Sequence, residues 1–288
     1  MPAKILDGKF VSEKIREDLS KEVAFLKEKG VTPSLKVILI GNYPPSVIYV
    51  RNKEKACEQV GILTQTERLP ADTPEDKLLD LIKRWNEDET SGILVQLPLP
   101  ESINKRNIFL TIDPKKDVDG CTPTNLGLLL TGEPYFFPCT PAGILELLRF
   151  YQIETKGKYV VILGRGDLVG KPLANLLLRK GIDATVVVCH TATRDVANFT
   201  READIIVLGM GRKHFLKGNM IKEGAVIVDC GISKICEGGK EKIMGDCDFE
   251  SCQEKASYIT PAVGGVGPMT VTMLLKNTIK AAKIQKGI

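Results

Sequence analysis

The chain has 288 residues, and its 43% hydrophobic and 26% charged content is that of a globular protein, which excludes a fibrous or largely disordered chain. Forty Lys and Arg against thirty-six Asp and Glu leave a net charge of +4, spread along the sequence and too mild to make a nucleic-acid surface. No run of about 18 apolar residues marks a membrane span, and the opening MPAKILDGKF has no apolar signal core, so a cytoplasmic protein with no nucleic-acid or membrane partner is expected. The eight cysteines form no C-x-x-C pair, and His190 and His214 stand in no ligand-spaced cluster. Reduced thiols and no metal site follow.

In chain order, Ser12 is placed to cap a helix with apolar Ile15, Leu19, Val23 and Leu26, ending at Lys29-Gly30. Leu35 to Ile40 reads as a strand, Pro44 to Val60 as a helix stopped by Gly61, and Ile62 to Leu69 as a second strand. Pro74 opens a third helix through Leu79, Ile82 and Trp85, and Gly92 to Gln96 is a short apolar strand of the kind buried in parallel sheets. This alternation predicts a parallel α/β sheet domain. It restarts with a strand at Val160–Leu163, a glycine loop at Gly164–Gly170, a helix from Pro172 to Lys180 and strands at Ala184–Cys189, Asp204–Leu208 and Ala225–Cys230. A last helix, Met269 to about Ile284, follows Gly264-Gly265-Val266-Gly267 and can pack back on the first domain. The fold class is therefore α/β in two domains with a cleft between them.

Gly164-Arg165-Gly166-Asp167-Leu168-Val169-Gly170 lies between a strand and a helix, where glycines let the backbone approach a pyrophosphate at the helix N-terminus. This predicts a Rossmann-type dinucleotide domain. An NAD site places an acid about 20 residues on, for the ribose hydroxyl. Here Cys189-His190-Thr191-Ala192-Thr193-Arg194 has none, and Arg165 sits in the loop, so NADP is favoured over NAD.

Tyr49 and Lys53, four apart on the Pro44–Val60 helix, share one face. A phenol and an amine so placed can orient a substrate and move protons, although an exposed helix pair explains the spacing equally well. Gln96, with Leu97 and Pro98, ends a buried strand where parallel sheets bind ligands. Asp113 to Gly120 packs three acids and two lysines into a loop, read either as a solvated turn or as one that presents Asp119 to a ligand while Lys115 and Lys116 keep it soluble.

The ordered set Gly41-x-x-Pro44-x-Ser46-x-x-Tyr49-x-x-x-Lys53, Gln96-Leu97-Pro98-Leu99-Pro100, Lys116-Asp117-Val118-Asp119-Gly120, Gly164-Arg165-x-x-x-Val169-Gly170-x-Pro172 and Gly264-Gly265-Val266-Gly267-Pro268-Met269-Thr270 resembles bifunctional methylenetetrahydrofolate dehydrogenase/methenyltetrahydrofolate cyclohydrolase. The resemblance runs from Asp7 to the final helix. It implies oxidation of 5,10-methylenetetrahydrofolate with NADP+ and hydrolysis of the product to 10-formyltetrahydrofolate. It further implies Lys53 as the principal catalytic group, Tyr49 stacking on the folate, Gln96 holding Lys53, and Asp119 binding the pterin. By the same resemblance, Leu97 and Pro98 would join the folate site, Gly164, Arg165, Gly166, Gly170, Thr191 and Ile232 would line the NADP site, and Gly264, Gly265, Gly267 and Pro268 would close over both ligands. A homodimer through the nucleotide domain is implied, with domains at 1–137 plus 268–288 and at 138–267. The chain departs from the family at Gly166 (usually Ser or Thr), Thr191 (commonly Ser), Val263 (usually Pro) and Cys121 (usually bulky and apolar). Two alternatives share the two-domain plan: an NADP-dependent oxidoreductase like shikimate dehydrogenase, and a nucleotide-binding protein without chemistry.

Overall fold

A computed structural model describes residues 2–237 and 240–288. Two compact units divide the chain: Glu13–Cys139 with Val271–Ile288, and Met1–Ser12 with Thr140–Thr270.

The first unit is built on a three-stranded parallel sheet in which Ser34–Ile40 lies between Leu63–Leu69 and Gly92–Val95. Val37 to Ile40 and all four residues of Gly92–Val95 are buried, as continuous apolar strands in parallel sheets must be. The helix Glu75–Glu87 turns Leu78, Ile82 and Trp85 onto Ile38, Ile93 and Val95, which makes the core on one face of the sheet. The outer edge of Gly92–Val95 is not left open: the Ile93 N–H donates to the Lys116 carbonyl at 2.8 Å. Gly92 is glycine for a packing reason, since a Cβ there would stand 2.5 Å from a Val118 methyl. The final helix, Val266–Lys286, belongs to this unit from Val271 onward, as the sequence suggests. There the Asn277 amide donates to the carbonyls of Val118 (2.8 Å) and Phe137 (3.0 Å).

The second unit holds a six-stranded, all-parallel sheet in the order Lys4–Ile5, Tyr258–Ile259, Val226–Asp229, Ile205–Leu208, Tyr159–Leu163, Thr185–Cys189. Leu163 pairs with Cys189 on one side and Leu208 on the other, so three strand ends stand side by side and open at the same level. The strands Ser233–Glu237 and Lys240–Met244 pair antiparallel with each other.

The structure departs from the sequence reading at the start of the chain. The first helix runs Gly8–Glu28, so Ser12 lies inside it and its hydroxyl bonds back to the Lys9 carbonyl. Asp7 does the capping instead, accepting the Phe10 N–H at 2.9 Å. The residues before it, assigned by sequence to the 1–137 domain, enter the other unit because Lys4–Ile5 adds a parallel strand beside Tyr258–Ile259. The seven cysteines whose side chains are described are free thiols; the Cys236 side chain lies outside the described residues. Among the described residues no helix is long and apolar enough to cross a membrane, and no cluster of three or more His, Cys, Asp or Glu could hold a metal ion.

Candidate active site

Two groups of site residues occur, one in each unit. In the first unit the helix Pro44–Val60 starts on two prolines, whose missing N–H groups cost nothing in a first turn, and stops at Gly61. That glycine adopts φ 84° and donates to the Cys57 and Glu58 carbonyls. Val50, Ala56, Cys57 and Val60 bury one face, leaving Tyr49 and Lys53 half-buried one turn apart. Lys53 Nζ donates to Gln96 Oε1 at 2.9 Å, while Gln96 Nε2 donates to the Leu97 carbonyl at 2.8 Å. The Ser46 hydroxyl reaches that same carbonyl at 3.2 Å. The Gln96 amide is thus held at both ends, its oxygen on the amine. A carboxylate there would add a full negative charge; an amide orients the lysine without one. Burial pushes the Tyr49 hydroxyl above its ordinary range, so it stays a neutral phenol.

Asp119 is half-buried on a backbone fixed from several sides. Its carbonyl accepts the Cys139 N–H at 3.2 Å and the Cys121 thiol at 3.4 Å. Gly120 adopts φ 70°, and a Cβ there would lie 2.7 Å from Pro138 N and 2.8 Å from the Phe137 carbonyl carbon. The loop can follow this course only with glycine. Burial drives the Cys139 thiol far up; the Asp119 charge adds to that shift and the Lys53 charge opposes it.

The rest of that loop is not the soluble turn that its composition suggests. Lys116 is buried, with Nζ donating to the Trp85 (2.8 Å) and Asp88 (2.6 Å) carbonyls at the end of the Glu75–Glu87 helix. Asp117 is buried as well and accepts from Thr122 N (2.8 Å), Asn125 Nδ2 (2.8 Å) and Cys121 N (3.2 Å). Burial pushes its carboxyl up to about 6, against those hydrogen bonds. Lys116 and Asp117 strap the loop down, Asp113 accepts the Lys115 N–H at 2.8 Å, and Asp119 is only half-buried. Sequence alone cannot separate the three acids, because which of them is buried depends on partners remote in the chain.

In the second unit, a cavity of about 430 Å³ opens where the three strand ends meet. Gly164, Arg165 and Gly166 from the middle strand line it, together with Thr191 and Thr193 on one flank and Met210, Arg212 and Phe215 on the other. Gly164 adopts φ 120° with space for a Cβ denied by the Gly209 carbonyl oxygen, 2.5 Å away. Gly170 lies so close that a Cβ would collide with the Gly164 carbonyl. Both glycines are required by the loop itself. Gly166 is not: a Cβ there meets nothing within 4 Å. A cavity walled by glycine backbone, two hydroxyls and two guanidiniums fits a phosphorylated nucleotide. Ile232, on the loop after Val226–Asp229, is 45% exposed and does not line this cavity.

Thr193 lies with Thr191 in the segment after the second strand, where the sequence pattern points, whereas Arg212 and Phe215 come from a loop that the pattern does not mark. Its own signal is Gly209-Met210-Gly211, a second glycine turn at a strand end. A buried acid sets that turn: Asp246 Oδ2 accepts from Met210 N at 2.7 Å and Gly211 N at 3.0 Å. Of the predicted residues, Gly264 and Gly265 lie on the segment leading into the last helix, and Gly267 and Pro268 lie in its first turn, which begins at Val266 and not at Met269. The Gly264 carbonyl accepts the Lys9 N–H at 2.8 Å, a Cβ on Gly265 would press on the Pro261 carbonyl, and Val263 is 67% exposed.

A family model described as tetrahydrofolate dehydrogenase/cyclohydrolase, catalytic domain, matches residues 6–119, and its NAD(P)-binding domain counterpart matches residues 138–286. The bifunctional protein FolD of Aquifex aeolicus is 54% identical over 284 residues, covering 98% of this chain and 96% of its own. The crystal structure of the bifunctional FolD dehydrogenase/cyclohydrolase from Campylobacter jejuni is 47% identical with TM-score 0.94, covering 98% of this chain and 99% of that one. The Trypanosoma brucei enzyme, complexed with NADP cofactor and inhibitor, is 40% identical with TM-score 0.95 over the whole of both chains. Shikimate dehydrogenase of Aquifex aeolicus reaches TM-score 0.51 at 16% identity, a likeness of fold alone.

Proposed function

The chain belongs to the tetrahydrofolate dehydrogenase/cyclohydrolase family, and from that premise we propose that Lys53, Tyr49 and Gln96 form one site that serves two successive reactions. The enzyme oxidises 5,10-methylenetetrahydrofolate to 5,10-methenyltetrahydrofolate with NADP+ and hydrolyses that product to 10-formyltetrahydrofolate. In the first reaction the bridge carbon loses a hydride and becomes part of a cation. In the second, water adds to that carbon, the carbon–N5 bond breaks, and one proton is released overall. NADP, when bound, supplies the hydride acceptor.

Lys53 is the group that moves protons. Its amine takes a proton from the attacking water and returns one to N5 as the carbon–nitrogen bond opens. Gln96 orients that amine, and its lack of charge suits a site where positive charge develops on the substrate. Tyr49, a neutral phenol, gives the folate a flat surface. Asp119 offers two oxygens to the adjacent amino and ring N–H donors of the pterin. Leu97 and Pro98 flank Gln96, and Gly264, Gly265, Gly267 and Pro268 complete folate binding. Gly164, Arg165, Gly166, Gly170 and Thr191 hold NADP, with Arg165 and Thr191 on the 2′-phosphate and exposed Ile232 available to the nicotinamide end.

The observation that carries this reading is the 2.9 Å bond from Lys53 to an amide that is itself fixed at its other end. The test is to incubate the protein with methylenetetrahydrofolate and each oxidised coenzyme, following the methenyl product by absorbance. Formation with NADP+, then decay to the formyl product, is expected; no product with either coenzyme contradicts the reading.

We assign folate binding chiefly to the unit of residues 13–139 with 271–288, and the coenzyme to the unit of residues 1–12 with 140–270. The homodimer through the nucleotide domain is supported by the sheet-edge strand Thr185–Cys189, whose three valines are only half-buried. The free thiols support a reducing compartment, the cytoplasm.

A further inference from the structure

The cavity in the nucleotide-binding unit contains a cation that the family resemblance does not account for. Arg212 follows the strand Ile205–Leu208, on the far side of Leu163 from Thr191. Adjacent strands in a sheet lie about 4.8 Å apart, so the flanking loops stand roughly 10 Å from each other across the glycine turn. That separation suits a planar heterocycle lodged between them. Among the described residues Arg212 makes no ion pair and no hydrogen bond; its one contact of note is the Phe215 ring, 4.9 Å from the guanidinium carbon. Arg165, at the centre, and Thr191, on the opposite flank, already provide charge and hydroxyl for a phosphate. A guanidinium backed by an aromatic ring and without a carboxylate partner is a flat, weakly hydrated plate.

We propose that Arg212 is a binding residue for the adenine ring, stacking its guanidinium on the base against Phe215, and does not contact the 2′-phosphate. The assignment rests on the dinucleotide reading of the cavity. It divides the work of the two arginines: Arg165 distinguishes NADP from NAD, whereas Arg212 grips the part common to both. It also gives Phe215 a function, since the ring limits where the guanidinium plane can lie.

The test is equilibrium binding without folate, reading NADP, NAD, 2′,5′-ADP and 5′-AMP against wild type, Arg212→Ala, Arg212→Lys and Arg165→Ala. Wild-type binding of NADP and 2′,5′-ADP checks the dinucleotide reading by itself; failure there sinks that reading and this proposal together. With that binding in place, Arg212→Ala should weaken all four ligands by the same factor, about five- to tenfold, as expected for a lost cation–π stack. Arg212→Lys should recover little, because an ammonium is not a plate. Arg165→Ala should weaken NADP and 2′,5′-ADP well beyond NAD and 5′-AMP. A loss at Arg212 confined to the two 2′-phosphorylated ligands, a full rescue by lysine, or unchanged affinity for every ligand overturns the proposal while leaving the dinucleotide site standing.

Discussion

The folate-side cluster and the nucleotide cavity are built by opposite means. The first consists of side chains held by other side chains and carbonyls: Lys53 by Gln96, Gln96 by Leu97, and the Asp119 loop by Asp117, Lys116 and Asn277. The second is mostly backbone, with glycines where a Cβ has no room and two guanidiniums left for a ligand. Proton transfer needs a particular group at a particular atom, so the first site is fixed in its side chains. A pyrophosphate needs close approach to N–H groups, so the second is fixed in its turns.

Substitutions can break this contrast or sharpen it. The largest effect in the nucleotide unit should come from Gly164→Ala, which combines a φ of 120° with a collision at Gly209. The two costs together are roughly 2–6 kcal/mol. NADP affinity should fall about a hundredfold or more while folate affinity is kept, as coenzyme and folate titrations would report; unchanged NADP affinity would mean the turn is no cradle. Asp119→Asn is the counterpart on the folate side. It removes one partner of a paired, charge-assisted contact worth about 1.5–3 kcal/mol, so folate binding should weaken about ten- to a hundredfold with NADP binding intact. Equal loss of both ligands would point to misfolding.

A smaller effect concerns pH. Burial raises the Asp117 carboxyl from 3.8 to about 6, so the folded chain holds that proton more tightly than the unfolded one. Its contribution is fully favourable below about pH 4 and is lost as pH rises through 6, a change of about 3 kcal/mol for a shift of about two units. Asp117→Asn should flatten the pH dependence of the urea midpoint across that window, leaving the part due to Asp229, whose carboxyl burial also raises. An unchanged slope would show that Asp117 does not titrate there. The smallest effect is a gain: Gly166→Ser enters open space and adds one hydroxyl, so NADP should bind about two- to tenfold more tightly. No gain would place the phosphate elsewhere.

The sequence disclosed what rests on local pattern. The helix between Pro44 and Gly61 and the apolar strand at Gly92–Val95 announce themselves, and they carry Tyr49, Lys53 and Gln96. Lys4–Ile5 does not: two exposed residues show no periodicity, and only pairing with Tyr258–Ile259 makes them a strand. The apolar period starts later than the helix and so points to Ser12 as the cap, although Asp7 is the residue that caps it. The burial of Lys116 and Asp117, and the arrival of Arg212 beside Arg165, depend on contacts far apart in sequence, which composition cannot encode.

The central claim is that one lysine serves both reactions. Lys53→Met keeps the length and apolar stem of the side chain and removes the amine. In protein whose circular dichroism and NADP affinity match wild type, dehydrogenase and cyclohydrolase rates measured on the same preparation should both fall, by about 10²–10⁴-fold. Folded variant that retains either rate near the wild-type value would contradict a shared site.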